Sequence, residues 1–216
     1  MGKKKSKTSS SEIKQVESSR NEFFRTLAEW NKARLSSESL AKEVVNLRNE
    51  TTYLTSDRVS KAVGVFLRPS NLYVDVTEKL HGTLSQLRTR LEVMISCVEV
   101  MKSLLIKEKE WSRCSKPDSI IEDVEDVEGI DSTSNADYEP LSNTIDVDFL
   151  DELVTEILQQ TLLEKNLYER LKCSSESGSL NLGIDHDTSV TLLACYSYAP
   201  CINENSLKLA LESLSS

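Results

Sequence analysis

Between Leu72 and Trp111, apolar residues recur at Leu80, Leu84, Leu87, Leu91, Met94, Val98, Met101 and Leu105, with spacings that alternate between four and three. The mean period is about 3.5 residues, so these side chains form one seam along one helix. No Gly or Pro follows Gly82 within the stretch. At about 1.5 Å per residue, such a helix reaches roughly 60 Å and must cover its seam with other helices. Ile95, Cys97 and Leu104 widen the seam toward its C-terminal end. The N-terminal half, with His81, Arg88 and Arg90 beside a narrow stripe, therefore reads as coiled coil, and the C-terminal half as bundle.

The same periodicity places the other elements. A first long helix is expected from Ser11 or Glu12 to about Thr52, with Phe23, Leu27 and Trp30 on one face. Its stripe fades over Arg34 to Ser37 and resumes at Ala41, Val44, Val45 and Leu47. Residues 53–71 read as a connector with a short helix, ending in a turn at Pro69, with Ser70 or Asn71 as the cap. A third helix is expected from Asp146 or Asp148, with a wide apolar face from Phe149 through Leu162 and Leu163 to Leu171, broken after Ser174. Two short helices follow. One runs from Thr188 to Tyr198 and stops at Pro200, and the other, capped by Asn203 or Asn205, runs from Ser206 to Leu214.

These elements predict an all-α protein: an elongated antiparallel three-helix bundle or coiled coil with a C-terminal helical hairpin. Its expected divisions are a basic disordered tail at 1–11, a long helical hairpin with the heptad seam at 12–111, an acidic disordered linker at 112–146, and the third helix with the C-terminal hairpin at 147–216. Six glycines and four prolines in 216 residues are too few for an all-β chain with its frequent turns.

Charge sharpens this division. The net charge is −9, yet twelve Asp or Glu and no Lys, Arg or His fall between Asp118 and Asp151, leaving the rest slightly basic. The run from Ile120 to Glu128 alternates apolar and acidic residues, which suits either a self-repelling spacer or a segment that docks on a basic partner. Direct nucleic-acid binding needs clustered cations and is not expected. No apolar run is long enough to cross a membrane. The start, Met-Gly-Lys-Lys-Lys-Ser, lacks the apolar core of a signal peptide. It fits a plain solvated tail, a basic import patch at Lys3, Lys4, Lys5 and Lys7, or an acylation site at Gly2.

Candidate chemistry is sparse. Five cysteines without a CxxC pair point to free thiols rather than a disulfide framework or zinc site. Only His81 and His186 are available as bases, and the Asp185-His186-Asp187 triplet cannot surround an ion by itself. The few glycines allow no phosphate-cradling loop. No enzyme, cofactor or metal is expected.

Three stretches carry a resemblance. Ala28-Glu29-Trp30-Asn31 with the run to Asn46-Leu47, the segment Glu164-Lys165 to Leu171, and Leu192-Leu193, Pro200 and Leu209-Ala210-Leu211-Glu212-Ser213 together resemble the cyclin-dependent kinase 2-interacting protein family. The likeness covers most of the chain beyond residue 20. Tyr196 stands where the family pattern has a tryptophan. The resemblance implies a non-enzymatic adaptor in the nucleus, with the cytoplasm as a second location, acting in DNA replication, genome maintenance or ribosome biogenesis. Its implied partners are cyclin-dependent kinase, replication kinase and AAA+ ATPase subunits in a hetero-oligomer, with no membrane and no nucleic acid bound directly. The expected contact residues are Phe23, Leu27, Trp30, Leu192, Tyr196, Pro200 and Leu211, although Trp30, taken alone, reads as a core residue before a partner anchor. The competing expectation is a structural coiled-coil subunit of a kinetochore or tethering complex that uses Leu80 to Leu105 in trans. A lipid-anchored adaptor held through Gly2 is a third.

Overall fold

The computed structural model describes residues 10–54, 69–115, 145–176 and 186–213. They form five helices and no strand: α1 Ser10–Leu54, α2 Pro69–Ser115, α3 Val147–Glu176, α4 His186–Tyr198 and α5 Glu204–Glu212. The chain is an all-α bundle, as its periodicity predicts. The basic residues of the tail, the connector at 55–68 and the acidic run at 116–144 lie outside the described residues, as do the expectations that fall on them.

The eight seam residues of α2 are all buried, and the covering helices belong to the same chain. α1 and α2 are antiparallel. Arg20, near the start of α1, donates to Glu108, near the end of α2, at 2.6 Å, and Ser37 meets the Met94 sulfur at 3.8 Å. α3 turns back along α2, with Lys109 paired to Asp151 at 2.8 Å, and so runs parallel to α1. The register is marked by the Trp30 indole N–H, which donates to the Thr161 hydroxyl at 3.0 Å.

Broadening of the seam has a structural cause. Cys97 and Leu104, beside the heptad positions, are buried on the flank of the seam where Glu29 of α1 acts on Cys97, while Ile95 on the other flank lines the cleft with α3. The fading stripe on α1 is also explained. Ser37 is fully buried, and its hydroxyl donates to the Ala33 carbonyl of its own helix, so it fills a core slot without an orphan donor.

Some boundaries differ from expectation. α3 continues to Glu176 rather than breaking at Ser174, and α4 begins at His186 rather than Thr188. Asn203 is the cap of α5: its side-chain oxygen accepts from the backbone N–H groups of Asn205 and Ser206, which starts the helix two residues early at Glu204. The wide apolar face expected on α3 is narrower. Leu162 is exposed, while Gln160, Thr161 and Glu164 are buried. The inward positions Leu153, Ile157, Gln160, Glu164, Leu167 and Leu171 repeat at four and three, and two of them are polar.

Candidate interaction site

The C-terminal hairpin is held by a polar stripe on α3. Glu156, Gln160 and Glu164 are spaced by four, so they stack along one side of the helix. The segment from Tyr196 to Asn203 descends that side. The Tyr196 hydroxyl donates to the Glu164 backbone carbonyl at 3.2 Å, the Cys201 N–H to the Gln160 side-chain oxygen at 3.4 Å, and the Asn203 N–H to Glu156 at 3.0 Å. A fourth bond ties the hairpin to α1, from the Ser197 hydroxyl to Glu38 at 3.0 Å. The turn that permits this descent puts Ala199 at φ 41°, followed by Pro200, and closes with an Ile202 N–H to Ala199 carbonyl bond of 2.9 Å. Left-handed backbone is unfavourable for a residue with a Cβ, so the surrounding contacts hold it there.

Gln160 is a relay. Its oxygen accepts from the hairpin, and its amide donates to one Glu164 carboxylate oxygen at 3.0 Å. The other Glu164 oxygen has no hydrogen-bond partner, and the residue is fully buried. Burial pushes the Glu164 carboxyl up to about 7, and the nearby Glu38 charge adds to this. The Gln160 bond and the Arg34 charge oppose the rise without cancelling it. Glu38 itself is held below its ordinary value, chiefly by Lys42 bonded at 2.7 Å. The Tyr196 phenol is raised by burial and then by its acidic neighbour Glu164. Cys97 is pushed up to about 11 by burial and by Glu29, which makes it an inert thiol.

A second buried charge behaves differently. Arg48 is 3% exposed, and none of its guanidinium nitrogens has an acceptor. Burial alone lowers its pKa from the ordinary arginine value, with no carboxylate opposing the shift. Arg48 and Trp30 are separated by five helical turns, so both leave α1 on the same side. α3 ends at Glu176, about one turn short of that level.

The residues expected to contact a partner fall into two groups. Phe23, Leu27, Trp30, Leu192 and Tyr196 are core residues, filled against the chain's own helices. Pro200 is exposed, and Leu211 is partly buried against the core. The Leu80 to Leu105 seam is likewise filled within the chain rather than left open for a partner. Exposed large apolar side chains lie elsewhere, and three of them, Val190, Tyr198 and Leu209, are on the short C-terminal hairpin. Their signal in the sequence was faint, because an exposed leucine and a core leucine in a short helix look alike. Gln160 and Glu164 were also missed: each stands in a heptad slot, but its polarity argued for the surface.

Other surfaces offer little chemistry. A cleft of about 360 Å³ between α2 and α3 has Arg88, Glu92, Lys165 and Glu169 at its rim. Among the described residues, no group of three or more His, Cys, Asp or Glu is arranged to hold a metal ion, and no helix is long and apolar enough to cross a membrane. No protein-family model matches the chain, and no curated protein or solved structure does so either.

Proposed function

We propose that this chain is a non-enzymatic adaptor subunit that meets its partners through helix faces. The observation that carries this reading is the two-sidedness of the C-terminal hairpin. Leu192, Tyr196, Leu207 and Ala210 turn inward, while Val190, Tyr198 and Leu209 stay exposed, Tyr198 at 77%. An inward face already filled by the bundle leaves the outward apolar residues free for another protein. Aromatic and large apolar residues of this kind commonly anchor such contacts.

The resemblance to the cyclin-dependent kinase 2-interacting protein family supplies the partner class. These are cyclin-dependent kinase, replication kinase or AAA+ ATPase complexes in DNA replication, genome maintenance or ribosome biogenesis, with the nucleus as the main location. Under this reading Trp30 and Tyr196 act indirectly, by fixing the surface that the partner meets.

The test is purification of the tagged full chain from its own cells, compared with a Tyr198→Ser, Leu209→Ser double variant. Both substituted side chains are exposed, so the fold should survive, which thermal unfolding checks. Recovery of kinase or AAA+ ATPase subunits by the wild type, reduced at least tenfold by the variant, is the expected result. Recovery of coiled-coil proteins alone, unchanged by the variant, would replace the adaptor reading with a structural one.

A further inference from the structure

The bonds that dock the hairpin converge on one ionisable group. Cys201 reaches Glu164 through the Gln160 relay, and Tyr196 bonds the Glu164 backbone directly. The Glu164 carboxylate is enclosed at the junction of α1, α3 and α4, with one oxygen unpartnered. The groups that face or act on Glu164 are Arg34 and Glu38 from α1, Gln160 and, through the Tyr196 ring, Tyr168 from α3, and Tyr196 from α4. Glu38 is already engaged by Lys42 and Ser197, so it is not a free counter-group. No cation is bonded to Glu164 in the docked state.

We propose that the C-terminal hairpin is a charge-controlled latch, docked on α1 and α3 when Glu164 is protonated and favoured to release when Glu164 gives its proton to water. The physical basis is solvation. A neutral carboxyl tolerates the enclosed site, whereas a carboxylate there lacks water and has no bonded cation, only the charge of Arg34 nearby. Release restores water to it and uncovers the inward residues Leu192, Tyr196 and Leu207 together with the surface of α3 that they cover. Burial that places the carboxyl midpoint near neutrality sets the latch at its balance point. The device belongs to the isolated chain, so it stands or falls independently of the adaptor reading.

Hydrogen exchange of the full chain, corrected for the intrinsic pH dependence of amide exchange and normalised to α2, tests this directly. Between pH 6 and 8 the protection of α4–α5 amides should fall about tenfold, the ratio that a group with midpoints near 4.5 when open and near 7 when docked imposes. Glu164→Gln should remove the pH dependence. His186→Asn, at the first residue of α4, should keep it, which separates Glu164 from a histidine. If Glu164→Gln does not fold, the wild type and His186→Asn pair still decides the matter. Flat protection in the wild type, an unchanged fall in Glu164→Gln, or loss of the fall in His186→Asn would each overturn the latch.

Discussion

The middle of the bundle and the connected end of the α1–α2 hairpin each bury a charge-bearing residue in a core slot, with opposite results. At the middle, Glu164 is one member of a connected set: Gln160 orients it, and the same Gln160 receives the hairpin backbone. At the end, Arg48 has no acceptor and no compensating carboxylate. A buried polar group that is tied into a network specifies how neighbouring segments sit. One without partners only costs stability. The mid-bundle set therefore ties α4 and α5 to α3, whereas Arg48 is a local weakness with nothing bonded to it.

This contrast can be broken or sharpened by substitution. The largest effect should come from Trp30→Ala, which empties the largest core side chain and removes the donor to Thr161. A loss of about 3–5 kcal/mol is expected in denaturant unfolding, and a loss under 1 kcal/mol would mean that the middle is not a packed core.

Next is the pH dependence of stability. Glu164 has its docked midpoint raised to about 7 against an ordinary value of 4.5. Between those values the unfolded chain has released a proton that the folded chain retains. Stability is thus fully present below the lower value, falls as pH rises toward the upper one, and is flat beyond. The fall is on the order of 3 kcal/mol. In Glu164→Gln, urea unfolding from pH 4.5 to 8 should lack this component.

Arg48→Met should move stability the other way. Replacing an unpaired buried cation by an apolar side chain of similar length is expected to stabilise by about 1–3 kcal/mol. Destabilisation of that size in thermal unfolding would show that Arg48 has an acceptor after all. Tyr196→Phe keeps the buried ring and deletes one hydrogen bond, so it should cost about 1 kcal/mol and loosen the hairpin more than α2. The smallest effect belongs to Arg88→Ala. Its ion pair with Glu92 lies on an exposed face, and a change within about 0.5 kcal/mol is expected.

What could be read from sequence follows from how each feature is encoded. The α2 seam is a long unbroken repeat, so its burial and its helix were legible, and α1 was located to within two residues at each end. Pro200 and Asn203 marked the hairpin turn because proline and a capping side chain act locally. The core status of Glu164 and Arg48 was hidden, because polarity argues for the surface until a register shows otherwise. Trp30 reads as core before partner anchor, as it proves to be, whereas the placement of Phe23 and Leu27 inside the chain rather than against a partner was hidden. An amphipathic face has the same pattern whichever molecule covers it. The exposed triad on the hairpin needed the fold itself, since only packing distinguishes Leu207 from Leu209.

The most direct test of the contrast is a carboxyl-detected NMR titration of Glu164 in the intact chain, with the Cys201 and Asn203 amides followed in parallel. A Glu164 midpoint near 7, shared by both hairpin amides, is the predicted result. A midpoint near 4.5, or hairpin amides that do not respond as Glu164 titrates, would contradict the link between that buried carboxyl and the docking of α4 and α5.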